Sequence, residues 1–370
     1  MSESVDTSYR RLAAGYLRKQ AKQLARQLDG IRAAEDIEFV HRARVASRRL
    51  RAAMEMFRDC FDARQLKPWR KQIRRVTAEL GNARDKDVQV KFLYGILESL
   101  DQKAAYPGIV RLLTSLERKR ERLQANVVNA VDRLRASGVP AQIQTVAKEI
   151  IAGAKAEEPG EPSPFVFRQT GQQILDRLGE TLAYQDCLDD PNDMKRHHAM
   201  RIAAKRLRYT VEISKDVYDG RLDETVTVVR KLQSYLGEVH DCDVWLDDLE
   251  RFAKKQRQRI VKRFGHARPF ASLETGMTYL RQQRGERRRQ VFQEFVEYWQ
   301  ELNRRQFWSQ LIDMVEQRQR PPELPEKSTE GRLDCGRVPA RPGGSANGPV
   351  VSNVAAWTVR QKAHERNPAR

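Results

Sequence analysis

Two copies of one basic motif, separated by almost half of the chain, constrain the fold more than any other feature. The first copy begins at His41 and the second at His198, and both follow the pattern H-x-x-R-[VI]-x-x-[KR]-R-L-R. A second motif, L-G-x-x-[RH]-D-x-D-V, begins at Leu80 and again at Leu236. The motifs recur after 157 and 156 positions. Two signatures with nearly the same offset indicate an internal duplication in which each half carries a cationic site.

On an α-helix, the basic motif places its charges on one side and its apolar residues on the other. The cationic positions fall within a sector of roughly 80°, and they are His41, Arg44, Arg48 and Arg51 in the first copy and His198, Arg201, Lys205 and Arg208 in the second. Like charges at this spacing repel each other, and the motifs contain almost no acidic residues. The pattern therefore predicts either a solvated basic face or a site for an external polyanion, and its repetition favours the polyanion. Guanidinium groups suit phosphate because their forked donors match its oxygens.

Other residues of the motifs allow two roles each. Arg49 and Arg206 project roughly 100° away from the main basic sector, so they either contact a ligand or pair with the carboxylates of the second motif, which are Asp85, Asp87, Asp241 and Asp243. The two motif histidines either bind the ligand or satisfy a backbone or carboxylate partner such as Asp85 or Asp241. We expect the Asp-x-Asp pairs to lie at helix starts, where capping explains them better than Mg²⁺ binding does.

The composition of the chain narrows the class of partner. The 370 residues carry a formal net charge of +19, which predicts an anionic partner such as nucleic acid, a phosphate polymer or a membrane surface. Four scattered cysteines without metal-ligand spacing fit a reducing compartment. The sequence has no apolar N-terminal segment and no run of 18 apolar residues, so we expect a cytoplasmic protein without membrane insertion.

Helical periodicity runs through most of the chain, and strand patterns are nearly absent, which predicts an all-α protein. We expect Asp36 and Asn192 or Asp193 to cap the helices that carry the basic motifs, and the prolines of the body to mark helix boundaries. The periodicity predicts helices over 8–29, 36–62, 67–81, 86–103, 108–137 and 140–153, then over 165–188, 192–218, 222–237, 242–265, 270–285 and 287–318. Four tryptophans are expected in the core or in a groove wall, namely Trp69, Trp245, Trp299 and Trp308.

Composition divides the chain into four parts. Residues 1–151 form a first helical half, 152–164 a linker rich in Pro, Gly and Glu, and 165–320 a second helical half. Residues 321–370 contain seven prolines and little apolar periodicity, which predicts a disordered tail. The tail holds eight basic and five acidic residues, so most of the positive charge belongs to the helical body.

The two repeated motifs resemble those of the conserved-histidine α-helical domain, or CHAD, family over residues 8–318. The resemblance implies two tandem four-helix-bundle-like halves, related by pseudo-twofold symmetry around a basic central groove or pore. It also implies binding of inorganic polyphosphate and association with polyphosphate granules. The family's binding positions correspond to His41, Arg44, Arg48, Arg49, Arg51, His198, Arg201, Lys205, Arg206 and Arg208, and less directly to Arg74, Arg75, Arg230 and Lys231.

No catalytic signature accompanies the motifs. The chain lacks a Gly-Lys dipeptide and hence a Walker A loop, and the dipeptide His240-Asp241 has no further ligands in metal-site spacing. The E-x-E-x-K signature of triphosphate tunnel hydrolases, which are often fused to CHAD domains, is also missing. We therefore expect a non-enzymatic polyphosphate-binding protein without cofactor or metal. The alternative is a general nucleic-acid-binding protein, although the basic motifs lack the interleaved aromatic residues that single strands favour. The oligomeric state is not predicted.

Overall fold

The computed structural model describes residues 6–34, 36–153 and 162–319, and these residues form an all-α protein with no strand among them. This confirms the predicted fold class. The α-helices are α1 (Thr7–Ala25), α2 (Leu28–Ala33), α3 (Ile37–Met56), α4 (Ala63–Glu98), α5 (Tyr106–Ala136), α6 (Val139–Gly153), α7 (Pro164–Leu182), α8 (Met194–Ser214), α9 (Asp223–Phe264), α10 (Ala271–Arg304) and α11 (Phe307–Gln319). Side-chain caps at Asp36 and Asp193 begin α3 and α8, as predicted.

Several predicted helix boundaries are wrong because they were placed at glycines and prolines that the helices tolerate. The segments 67–81 and 86–103 merge into one continuous helix, α4, which ends at Glu98, and the segments 222–237 and 242–265 merge into α9. The segments 270–285 and 287–318 also lack a break between them, because α10 continues to Arg304 before α11 begins. A glycine weakens a helix interior by about 1 kcal/mol, but the buried residues Leu80 and Ala83 hold α4 in place on both sides of Gly81. Pro68 also lies inside α4, in its second turn. Conversely, the segment 8–29 is divided between α1 and α2.

The helices of the two halves follow each other in the same order and pack on corresponding neighbours. In the first half α1 packs on α3 and α6, and α3 packs on α4; in the second half α7 packs on α8 and α11, and α8 packs on α9. The principal apolar core includes residues of both halves, among them Leu50 and Leu207. The pseudo-twofold relation between the halves stays a prediction. The four tryptophans are buried, which confirms that expectation.

The far ends of α4, α5, α9 and α10 form a second, smaller core around Leu93, Ile109 and Trp245. Here α5 and α10 approach closely at two glycines. A Cβ atom on Gly108 would lie 2.3 Å from the carbonyl oxygen of Leu273 and 2.9 Å from the Cα atom of Gly276. The contact therefore requires a residue without a side chain on each helix, and it ties the two helix pairs together away from the basic motifs.

The predicted linker and tail lie largely outside the described residues. Helix α6 continues to Gly153, and Ser163 caps α7 by accepting a hydrogen bond from the backbone N–H of Val166. Residues 154–161 and the segment 321–370, which carry the linker and tail predictions, are not among the residues that the structure describes. The domain boundaries therefore stay a prediction.

Candidate polyanion-binding groove

The two basic motifs lie on α3 and α8, which pack against each other. Each helix buries its apolar stripe and turns its basic sector outward: Leu50 and Leu207 are fully buried, whereas Arg44 and Arg201 are half-buried. This separation of apolar and basic faces follows from the motif, since cations three or four residues apart share one face of a helix. The duplication thus places two sets of cations beside each other.

The charges of the two motifs affect one another across the α3–α8 contact. Burial, and then repulsion from Arg48, lowers the pKa of Arg44. Burial lowers the pKa of Arg201, and Arg48 on the other helix adds to the effect. Lys205 shows the largest change: burial and repulsion from four arginines lower its pKa to about 8. Both motifs therefore contribute to one electropositive region.

This region opens into a groove of about 1340 Å³ that α3, α4, α7 and α8 line together. The described residues that line it include eleven arginines and lysines in total and two carboxylates, Glu55 and Asp59. We call it the basic groove, and its cationic residues are Arg48, Arg51, Arg58, Lys67, Arg70, Lys71, Arg74, Arg75, Arg177, Lys205 and Arg206. The phenol ring of Tyr209 lies on its floor, with the guanidinium carbon of Arg48 5.9 Å from the ring centre.

Most cations of the basic groove have no carboxylate partner within the part of the chain that the structure describes. The paired ones are Arg70 with Glu55, Arg58 with Asp59, and Arg177 and Arg206 with Glu180. The others are Arg48, Arg51, Lys67, Lys71, Arg74, Arg75 and Lys205. Exposed ion pairs contribute little stability, so even the paired arginines could exchange a carboxylate for a phosphate. The groove is therefore a cationic surface that carboxylates neutralise only in part.

Sequence reasoning missed five of these residues, namely Arg58, Lys67, Arg70, Lys71 and Arg177. Four positions on α4, Lys67, Arg70, Lys71 and Arg74, follow the spacing i, i+3, i+4, i+7 that marks one helix face. This signal was present within the predicted helix over 67–81. The position of Arg177 carries no such signal, because it depends on how α7 packs beside α8.

Several residues that the sequence predicted as binding residues do not line the basic groove. The side chain of Glu212 is 7% exposed and attracts three arginines: its carboxylate lies 3.6 Å from Arg49, 3.7 Å from Arg208 and 2.9 Å from Arg230. Lys231 lies 4.4 Å from the ring centre of Tyr298. Of the two pairs predicted one helix after the motifs, the structure therefore brings Arg74 and Arg75 into the basic groove, but not Arg230 and Lys231.

Pairing with the Asp-x-Asp carboxylates, one of the two roles left open for Arg49 and Arg206, does not occur in the described part of the chain. Both arginines pair with glutamates, Glu212 and Glu180, instead of with the Asp-x-Asp carboxylates. The second aspartate of each motif has another partner. Asp87 accepts a 2.6 Å hydrogen bond from Arg120, and Asp243 pairs with Arg288.

The Asp-x-Asp motifs do not lie at helix starts as expected, because α4 and α9 continue through them. Their second aspartates stabilise the packing: Asp243 and Arg288 are 2.5 Å apart, and both side chains are mostly buried. Their first aspartates face the basic motifs. The Asp85 carboxylate lies 3.6 Å from Arg44, and burial raises the pKa of Asp241.

The histidine of the second basic motif pairs with another histidine. The Nδ1 atoms of His198 and His240 are 3.2 Å apart, and burial together with repulsion from Arg201 lowers the pKa of His240 to about 4. One ring must therefore donate and the other accept at neutral pH. Among the described residues neither His41 nor His198 contacts Asp85 or Asp241, which were the carboxylate partners suggested by the structural alternative.

Two further observations limit the chemistry of the described part of the chain. Residues 6–34, 36–153 and 162–319 contain no group of three His, Cys, Asp or Glu side chains placed to hold a metal ion. No helix among them combines the length and apolar character that crossing a membrane needs.

The fold and the groove define an all-α protein with a duplicated basic motif and a groove rich in unpaired cations. The chain belongs to the CHAD domain family, whose family model matches residues 15–250. The crystal structure of the CHAD domain from the plant Ricinus communis is similar to it, with a TM-score of 0.54 and 20% identity over 79% of this chain and 94% of that one. PptA from Streptomyces chartreusis gives a TM-score of 0.49 and 16% identity over 79% of this chain and 99% of that one. No curated protein matches the sequence.

Proposed function

We propose that the protein binds inorganic polyphosphate in the basic groove and does not alter it chemically. The observation that carries the proposal is the set of groove cations without carboxylate partners, which both basic motifs and α4 supply. Family membership and the resemblance of the motifs support the same ligand.

Polyphosphate fits such a surface for a simple physical reason. It is a flexible chain with about one negative charge per phosphate and no bases, so charge alone can hold it. Cations along α3, α4 and α8 can neutralise several successive phosphates, and the release of counterions then favours binding. Arginine adds forked donors that match two phosphate oxygens at once. A long polymer should therefore bind far better than orthophosphate.

Nucleic acid is the alternative ligand, and the groove suits it less well. Binding of single strands draws on exposed aromatic rings on which bases stack. Tyr209 is the one aromatic side chain among the described residues that line the groove, and it is 8% exposed beneath Arg48 and Arg208. A base has no free ring on which to stack there, whereas a phosphate chain needs none.

We further propose that the groove binds without catalysis. Its two carboxylates, Glu55 and Asp59, are paired with Arg70 and Arg58, so neither is poised as a general base. Purified protein should release no phosphate from polyphosphate or nucleotides, with or without Mg²⁺ or Mn²⁺. A reproducible turnover that Asp241→Asn abolishes would overturn the non-enzymatic assignment.

The binding test compares two variants that lose the same charge. Arg74→Ala with Arg75→Ala removes two groove cations, and Lys262→Ala with Arg263→Ala removes two exposed cations of α9 outside the groove. Isothermal titration with long-chain polyphosphate should show weaker binding for the groove variant and a change of less than about twofold for the control. Equal weakening in both would mean that net charge alone attracts the polymer.

In the cell we propose a cytoplasmic location at polyphosphate granules, the densest polyanion that fits the groove. A fluorescent fusion should concentrate in granules and become diffuse in cells that cannot make the polymer. Truncation at Arg320 should preserve this targeting, because both motifs and most of the positive charge remain. Foci that persist without polyphosphate, or that follow the nucleoid, would contradict the location.

A further inference from the structure

The duplication gives the basic groove a counterpart that has a different character. Adding the motif offset of 157 to Glu55 and Arg58, adding 156 to the groove positions on α4, and subtracting 157 from Arg177 and Arg206 leads to a second pocket of about 280 Å³. This counterpart pocket is lined by Tyr16, Lys19, Gln20, Arg49, Glu212, Lys215, Asp223, Val226, Thr227 and Arg230. It is several times smaller than the basic groove of about 1340 Å³.

Four of the eleven cations of the basic groove are replaced at the equivalent positions of the counterpart pocket. The register of α4 on α9 follows from the repeated L-G motif, and that of α1 on α7 follows from shared buried positions such as Leu17 and Ile174. With these registers, the four cations correspond to residues without positive charge: Lys67 to Asp223, Arg70 to Val226, Lys71 to Thr227, and Arg177 to Gln20. The duplication retained the motif but only part of the charge around it.

Three of the four cations that line the counterpart pocket, Arg49, Lys215 and Arg230, are paired with carboxylates of the pocket itself. Glu55 and Glu212 occupy equivalent positions of α3 and α8. Glu55 is about half exposed and pairs with Arg70, whereas Glu212 is 7% exposed and pairs with Arg49 and Arg230 inside the pocket. In addition, Lys215 lies 3.0 Å from Asp223. A phosphate entering here would have to displace a buried carboxylate, and breaking a buried pair is strongly unfavourable.

We propose that this chain uses its duplicated site once: the basic groove between α3, α4, α7 and α8 holds the polyanion, and Glu212 with Asp223 closes the equivalent pocket between α1, α3, α8 and α9. The proposal rests on the proposed function and names the residues that make the two pockets unequal. Of the two pockets, the basic groove alone has cations at the positions of Lys67, Arg70, Lys71 and Arg177, and the buried Glu212 keeps the equivalent pocket closed. Each chain should bind one polymer segment, along α3, α4 and α8.

An exchange of residues between the halves tests this proposal without changing the net charge. The loss variant carries Lys67→Asp and Lys71→Thr. The exchange variant adds Asp223→Lys and Thr227→Lys, which restores the parental net charge. All four side chains are exposed in the structure, so the helices should remain folded, and circular dichroism with thermal melts checks this.

Both variants should bind long-chain polyphosphate on the order of tenfold more weakly than the parent, with a salt dependence reduced by about two counterions. The exchange variant should not recover, because the buried Glu212 still pairs with Arg49 and Arg230 there, and Val226 and Gln20 still stand at the positions of Arg70 and Arg177. Parental affinity in the exchange variant would overturn the proposal, since it would show that Glu212 does not close the equivalent pocket. If the parent itself does not bind polyphosphate, the proposed function fails instead, and the two failures are therefore distinguishable.

Discussion

Lys205 makes polyphosphate binding depend on pH in a direction that the structure determines. Its ammonium group is half-buried among arginines, and burial followed by their repulsion lowers its pKa from 10.5 to about 8 in the free protein. A bound polyanion replaces that repulsion with attraction and so raises the pKa again. Binding therefore takes up a proton wherever the free lysine is partly neutral, and the affinity falls as the pH rises through 8.

The size of the effect follows from the two pKa values. If polyphosphate returns Lys205 to its ordinary pKa, the lysine is mostly protonated at pH 7 in both states, but at pH 9 about nine-tenths of the free protein must first gain a proton. That corresponds to a loss in affinity of about tenfold, or about 1.4 kcal/mol. Because solvent reaches part of the side chain and screens the charges, we expect a loss of roughly three- to tenfold.

Isothermal titration at pH 7 and pH 9, in two buffers of different ionisation enthalpy, measures both the affinity and the proton uptake. Lys205→Arg is the matched control, since arginine remains charged throughout and already occupies the equivalent position, Arg48, in α3. Burial raises the pKa of the Cys60 and Cys187 thiols to about 12 and about 11, so these groups do not titrate in the window. A parent protein without pH dependence, or a control with the same dependence, would refute the reasoning.

Three further perturbations have defined outcomes. Arg44→Ala with Arg48→Ala should weaken polyphosphate binding while leaving helicity intact and raising the melting temperature, because like-charge repulsion is relieved; unfolding would instead mark the motif as scaffold. The lowered pKa keeps His240 neutral in the folded protein at pH values where the unfolded chain already takes up a proton. The free energy of unfolding should therefore fall by about 1–2 kcal/mol as the pH falls from 6.5 to 4. Urea titrations of His240→Gln should show a smaller fall. Gly108→Ala should lower the free energy of unfolding by about 1–3 kcal/mol, since its Cβ meets the Leu273 carbonyl oxygen; an unchanged midpoint would show that α5 and α10 can separate without loss.

The sequence was sufficient to predict the parts of this protein that depend on local pattern. Helical periodicity identified the all-α fold, and Asp36 and Asp193 were recognisable as caps because an N-cap needs a particular residue type next to an apolar stripe. The basic motifs identified Arg48 and Lys205 as candidate site residues, and the resemblance to the family implied the central groove in which the structure brings them together.

The features that were not predicted depend on how the helices pack against each other, and the sequence pattern of a single helix does not reveal this packing. Gly81 and Pro68 look like helix ends, yet buried residues on both sides keep α4 continuous. Arg177 enters the groove only because α7 lies beside α8. The inequality of the two halves also escaped prediction, since it depends on Glu212 being buried while the equivalent Glu55 is exposed.

The most direct test of the central claim is competition for the basic groove. Protein saturated with fluorescently labelled long-chain polyphosphate is titrated with unlabelled polyphosphate, single-stranded DNA, duplex DNA and RNA at equal phosphate concentration and fixed salt, and the anisotropy is followed. A site that recognises closely spaced charge without stacking bases predicts displacement by polyphosphate at far lower concentration than by any nucleic acid. Displacement by nucleic acid at the same phosphate concentration as by polyphosphate would contradict the account and identify the protein as a general nucleic-acid binder.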